Sequence, residues 1–277
     1  MIHMVTRENR HLYARQLFEM HQLRRRFFIE ERGWSALSTG PDGGEYDQFD
    51  DDEAIYFLGL DEEGAVTVGQ RARPTADKSL LNDIFPQLIG PGVEPIDAPG
   101  VWEMTRTFAI PRYRTPRRGL RLRTELFLAM MEAACAQGVH RLVGITDVAL
   151  LGQTMALGWS CRIIGLPAAY AEGDAIAVEV DSSPDGVETM RETLGAPAPR
   201  LLHILPGHPL ARLDVAEAGL LAETFGALSG GQRRLATAIA ARVAELQDSV
   251  DEDALVAMLD DVAAIIRRPR GGAGAAT

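Results

Sequence analysis

Cysteine is scarce in this chain. Only Cys135 and Cys161 occur in 277 residues. Two thiols build no disulfide framework, and no His or acidic residue stands beside them at metal-ligand spacing, so packed, reduced thiols and no bound metal are expected. No apolar h-region follows Met1, and no apolar run is long enough to span a bilayer, which predicts a cytoplasmic protein without a membrane span. Positive charge is also in deficit. The formal net charge is -11, which argues against binding nucleic acid over a broad surface. No Walker A sequence exists, so the LSGGQRR run at 228–234 is read as a turn and cap before a helix rather than an ATPase signature.

What is present is ordinary globular composition, with 46% hydrophobic and 24% charged residues. Residues 13–32 carry Leu17, Met20, Leu23, Phe27 and Phe28 at helical spacing, and Gly33 ends that run. A loop over 35–53 follows. Residues 54–60 and the run after DEEG pattern as a β-hairpin, 101–110 as a strand, 118–137 as a long amphipathic helix and 139–146 as a buried strand. A helix near 149–157 and strands at 161–164 and 175–180 complete an α/β arrangement around a mixed sheet. Pro197 and Pro199 mark a boundary. The division expected is 1–200 for this domain and 201–277 for a helical C-terminal extension, with helices near 211–228, 231–247 and 252–267.

Three local groups attract chemistry: Arg24, Phe28 and Trp34; the acidic stretch holding Glu45, Asp47 and Asp50; and the strand carrying Glu103 and Arg106. Singly, each reads as solvated charge or ordinary core. Glu103 follows Trp102 in an apolar strand, so its carboxylate needs a partner. Side-chain alternation puts Arg106 on the opposite face from Glu103, leaving Arg24 and Asp47 available as partners. A fourth feature is the arginine run Arg112, Arg114, Arg117, Arg118, Arg121 and Arg123, which has no acidic residue before Glu125.

Taken in order, these groups resemble the acyl-homoserine-lactone (autoinducer) synthase family. The matching pattern is Arg24-x3-Phe28-x5-Trp34, Glu45-x-Asp47-x2-Asp50, Arg71 ahead of Arg73-Pro74-Thr75, and Glu103-x-x-Arg106. The runs EYDQFD, VWEMTR and IFPQL add to it, and the resemblance covers about residues 13–170. It implies a fold similar to the GNAT acyltransferases, a mixed central sheet flanked by helices. It implies a reaction in which the amine of S-adenosylmethionine, a cosubstrate rather than a tightly bound cofactor, attacks an acyl thioester. Lactone closure then releases methylthioadenosine and yields a quorum-sensing signal.

Under that resemblance Glu103, Glu45, Arg24, Asp47, Asp50, Arg71 and Arg106 form the catalytic set. The carboxylates of Asp47 and Asp50 suit the cations of S-adenosylmethionine, and Arg24 or Arg106 suits its carboxylate. Phe28 and Trp34 suit an aromatic wall. Glu103 and Glu45 are both candidates for the base, and backbone N–H groups of a distorted strand near 105–108 for the oxyanion site. Met104, Thr105, Phe108, Leu126, Met130, Leu142 and Thr146 are candidates for the acyl slot. Thr146 stands where some family members have a Thr favouring a 3-oxo chain. The arginine run, from Arg112 to Arg121, sits where GNAT proteins bind a pantetheine phosphate, but only Gly119 remains of a Gly-rich loop. Docking of an acidic acyl carrier protein therefore fits better than coenzyme A. The C-terminal helices are assigned to covering the pocket, dimerising or binding another protein. An N-acyltransferase making an N-acyl amino acid is the rival enzyme, and a non-catalytic binding protein the rival outside enzymes.

Overall fold

The computed structural model describes residues 2–195 except 8, 62, 111–115 and 171–172, and only the backbone of 116–120. The expected boundary at 200 and the C-terminal helices lie outside the described residues. The elements are β1 (Ile2–Val5), α1 (Ala14–Arg24), β2 (Ser38–Thr39), β3 (Glu45–Tyr46), β4 (Ile55–Leu60), β5 (Val66–Pro74), α2 (Leu80–Asp83), β6 (Val101–Ala109), α3 (Pro116–Ala136), β7 (Arg141–Asp147), α4 (Leu151–Met155), β8 (Cys161–Ile163), β9 (Ala168–Tyr170), β10 (Gly173–Asp181) and α5 (Pro184–Leu194). The main sheet runs β1-β4-β5-β6-β7-β10-β8, and β9 pairs with β10. No described helix is long and apolar enough to cross a membrane.

The hairpin, the strand at 101–110 and the long helix form as the patterns predict. The helix expected over 13–32 is α-helical only to Arg24 and continues as a π-helical turn over Arg25–Glu31. Such wide turns occur frequently at functional sites. Six elements escaped the sequence reading: β1, α2, β9 and α5, and the short pair β2 and β3 inside the stretch expected as a loop. β1 is a four-residue edge strand too short for a periodic signal. α5 carried its signals in plain view: a Ser183 cap accepting from the Gly186 N–H, Pro184 in the first turn, and Gly195 left-handed at the end.

All neighbours in the main sheet are antiparallel except β6 and β7, which are parallel and joined by α3. One face of the sheet packs on Leu126, Met130 and Ala134 of α3, and the other on Met20 and Phe28 of the α1 segment. The parallel pairing runs from Val101 opposite Arg141 to Met104 opposite Gly144 and stops. Beyond it β7 stays with β10 as far as Asp147, so the two strands part into a wedge. Gly144 sits at the last rung, where an added Cβ would meet the Met104 carbonyl oxygen at 3.1 Å.

β5 and β6 slip against one another at the same level. Arg71 faces Thr105 and Gly69 faces Phe108, so Gln70 stands against two residues, Arg106 and Thr107. This is a β-bulge, and Arg106 takes φ 55° within it. The extra residue resets the alternation. Thr105 and Arg106 both turn toward the α1 face, as their bonds to Arg71 and Glu45 record. The expectation that Arg106 opposes Glu103 across the sheet is therefore corrected, because alternation holds only for an unbroken strand. Gly69 allows Phe108 to lie across the bulge's far edge; a Cβ there would meet the ring at 2.7 Å. Gly69→Ala is expected to destabilise the protein by about 1–3 kcal/mol through overpacking. Urea unfolding measures this, and an unchanged midpoint would contradict the tight contact.

Candidate active site

Three arginines and three carboxylates close into a ring of alternating charge. Arg24 binds Glu45 at 2.5 Å and Asp50 at 2.6 Å. Arg71 binds Asp50 at 2.9 Å and Asp47 at 2.5 Å. Arg106 binds Asp47 at 2.7 Å and Glu45 at 3.0 Å. Each guanidinium bridges two carboxylates, which the planar fork of arginine permits and the point charge of lysine does not. The ring is neutral, so it can be buried without leaving a net charge in the interior.

Local sequence positions the carboxylates. Asp47 accepts from the Phe49 N–H and Asp50 from the Asp47 N–H, which folds the acidic stretch into a tight turn. Tyr56 donates its hydroxyl to Asp50 at 3.0 Å. The ring of His21 stacks on Tyr46 with centroids 3.8 Å apart and bonds the Glu45 carbonyl through Nδ1, fixing β3 against α1. Burial pushes the Asp50 carboxyl up, but Arg24 and Arg71 outweigh it and hold the group well below the usual carboxylate range. Asp47 is lowered likewise: burial opposes, and Arg71 and Arg106 prevail.

The ring leans on a cavity of about 830 Å³. Asp47 and Arg106 line it, with side chains 17% and 7% exposed, whereas Arg24, Glu45, Asp50 and Arg71 lie behind them at 3% or less. Arg24 is thus committed to two carboxylates, and of the two arginines expected at a substrate carboxylate only Arg106 lines the cavity. Asp50, expected to meet the substrate's cations, lies in the ring and does not line the cavity. Among the described residues nothing accepts from Nη1 of Arg106, whose guanidinium lies 5.7 Å from the Phe28 ring. Phe28 and Trp34 stack at 4.9 Å and form the aromatic wall.

Glu103 does not line the cavity. It lies behind Leu80 and Thr105, which do. Its partner is not Arg24. Its oxygens accept the N–H groups of Leu80 and Leu81, at 2.6 and 2.7 Å. Burial pushes its carboxyl from an ordinary 4.5 up to about 7, against the opposing pull of those two N–H groups and Arg71. The folded state therefore binds more protons than the unfolded chain between these values. Stability falls as pH rises through that window and stays lower above it, by on the order of 3 kcal/mol. Urea unfolding at pH 5 and pH 8 should show this loss in the parent protein and not in Glu103→Gln. Equal losses in both would refute it.

The acyl-slot candidates divide. Met104, Thr105 and Thr146 line the cavity. Phe108 packs in the core under α1, and Leu126, Met130 and Leu142 in the core under α3. The helical stripe facing the wedge is instead Arg123 and Phe127, one position round from Leu126 and Met130. Thr107, Gln70, Trp159 and Tyr170 also line the cavity and were missed. Only Trp159, flanked by Gly158, carried a visible local signal. In the arginine run, Arg112 and Arg114 lie outside the described residues, as do the side chains of Arg117 and Arg118. Arg121 is exposed and bonded to Glu125 at 2.8 Å. Arg123 is turned inward, and burial lowers its pKa.

The sequence profile of the autoinducer synthase family matches residues 8–190. The isovaleryl-homoserine lactone synthase of Bradyrhizobium diazoefficiens is 32% identical over 198 residues, which are 72% of this chain and 87% of that protein. The structure of a coenzyme A-dependent acyl-homoserine lactone synthase, BjaI, with S-adenosylmethionine and isopentyl-CoA superimposes with a TM-score of 0.66 at 30% identity. It covers 80% of this chain and 98% of the other. MesI, also a coenzyme A-dependent acyl-homoserine lactone synthase, gives 0.62 at 30% identity over 71% and 96% of the two chains. With this ring, wedge and cavity in place, the chain belongs to the autoinducer synthase family and is an acyltransferase of the acyl-homoserine-lactone synthase class.

Proposed function

We propose that this protein transfers an acyl group from coenzyme A to the amine of S-adenosylmethionine and closes the lactone. The observation that carries the reading is the buried ion ring, which presents one carboxylate and one guanidinium to a cavity walled by stacked aromatics. S-adenosylmethionine has matching parts. Its ammonium suits Asp47, its carboxylate suits the unoccupied edge of Arg106, and its sulfonium or adenine suits Phe28 and Trp34.

The bulge at 105–107, beside strands that have parted, offers backbone N–H groups to the oxygen of the thioester carbonyl. The amine nitrogen attacks that carbon, the C–S bond breaks, and the thiol leaves with a proton. The methionyl carboxylate then attacks its own γ-carbon. The second C–S bond breaks toward sulfur, neutralising the sulfonium and releasing methylthioadenosine. For the base we assign Glu103 over Glu45. Glu103 is poised to about 7, near working pH, while Glu45 is held by Arg24 and Arg106. Its proton arrives by relay past the Thr105 hydroxyl, which lines the cavity.

Coenzyme A is preferred as carrier because the solved relatives at 30% identity are coenzyme A-dependent synthases. Incubation with S-adenosylmethionine and a panel of short acyl-coenzyme A thioesters, followed by mass spectrometry, is expected to give thiol, methylthioadenosine and lactone in equal amounts. An acylated amino acid without methylthioadenosine would establish the rival N-acyltransferase. Turnover with acyl carrier protein alone would reverse the donor.

A further inference from the structure

Gln70 carries a buried side-chain amide that bonds to none of the described residues. On β5 it shares a face with Val68 and Ala72, as their neighbours Phe57 and Ile55 on β4 confirm, and that face is turned to α3. Gln70 is 1% exposed, and among the described residues its Oε1 has no hydrogen-bond partner. No described residue bonds its Nε2 either. The residue lines the cavity, among the apolar surfaces of Met104, Ile145, Phe127, Trp159 and Val178. A primary amide in such a wall is costly unless a partner reaches it, and the open side is the cavity.

Position decides which ligand that partner belongs to. The ion ring and the Phe28–Trp34 wall lie on the α1 face and are assigned above to S-adenosylmethionine. The α3 face, with its apolar walls, is left to the acyl group. Along the strand, Gln70 stands against Arg106 and Thr107, the bulge assigned to the reacting carbonyl. The atom it meets therefore lies within a few bonds of that carbonyl. An amide can donate to a carbonyl or accept from a hydroxyl. We propose that Gln70 selects acyl groups that carry an oxo or hydroxyl oxygen close to the thioester, over plain acyl groups of equal length. The proposal rests on the functional reading above.

Its logic is asymmetric. A site built to hydrogen-bond an oxygen discriminates strongly against the analogue lacking it, because its own polar group is then left unpaired. An apolar pocket gains little by excluding the oxygenated form. The test measures methylthioadenosine release by the full chain at saturating S-adenosylmethionine. It compares 3-oxoacyl-, 3-hydroxyacyl- and plain acyl-coenzyme A of matched length. For the parent, kcat/KM with the better oxygenated donor is expected to exceed that with the plain donor at least tenfold. In Gln70→Leu that ratio should collapse toward one.

A parent that favours the plain donor overturns the proposal. So does a Gln70→Leu variant that keeps the ratio, or one that slows both donors equally, since the amide would then act on the reacting carbonyl or on the fold. The parent comparison needs no variant and stands even if Gln70→Leu fails to fold. If the parent releases methylthioadenosine from no thioester at all, the functional reading itself fails, and that result is distinct from an inverted preference.

Discussion

Arg24→Met is expected to destabilise the protein by about 3–5 kcal/mol and to abolish activity, although Arg24 does not line the cavity. The substitution removes one cation from a neutral, buried ring and leaves Glu45 and Asp50 with a shared excess of negative charge. Both are almost fully buried, so water cannot replace the lost guanidinium. Asp47 and Arg106 are held by the same ring and would lose their orientation toward the cavity. The penalty comes mostly from the stranded carboxylates, so removing one of them should give stability back. The double variant Arg24→Met, Asp50→Asn is expected to be more stable than Arg24→Met alone, which denaturant unfolding measures directly. Simple additivity of the two losses would mean the ring does not act as a unit. The same charges set an acid limit. Asp50, held below the usual carboxylate range in the fold, contributes stability at pH values above its unfolded range, and that contribution is lost as pH falls toward its folded value.

Glu103→Ala is expected to lower kcat by roughly a hundred- to ten-thousandfold, the usual contribution of a positioned base, with a smaller change in KM for S-adenosylmethionine. Glu103 contacts neither the ion ring's carboxylates nor the aromatic wall, so ground-state binding should survive. A purely structural role would also lower kcat, and pH separates the two. A base must be ionised to act, so the parent's kcat should rise with pH through about 7 and then level off. Glu103→Gln should lack that rise. If Glu103→Gln retains both the rate and the profile, the proton goes elsewhere, and Glu45 returns as the candidate despite its two guanidinium partners.

The acidic stretch shows how far spacing alone reaches. Glu45, Asp47 and Asp50 were legible as a group because their separations match a known pattern, and the turn that holds them is local, made by Asp47 and Asp50 on nearby N–H groups. Their partners were not legible. Arg24 lies on a helix before them, Arg71 on a strand after them, and Arg106 further on again. Which carboxylate meets which guanidinium depends on how α1, β5 and β6 stack. Arg106 was misplaced for a related reason. Period-two alternation is a property of an unbroken strand, and the slip between β5 and β6 is a property of the pair.

The acyl wall was the least legible part. Leu126 and Met130 are as apolar as Phe127, and only the rotation of α3 about its axis decides that Phe127 meets the wedge while the others fill the core. Gln70 carried no signal, since a lone glutamine in a strand is ordinary until its burial and its lack of a partner among the described residues are known.

Sequence by itself determined the family, the succession of elements over most of the described chain, and the residue types of the ion ring, because these follow from local spacing and composition. Tertiary structure alone decided which of those charges meets the cavity and which is buried behind it, where the β6 alternation resets, and where Glu103 finds its N–H groups. The physical reason is that burial and pairing are set by contacts between segments far apart in the chain, which no short window of residues encodes.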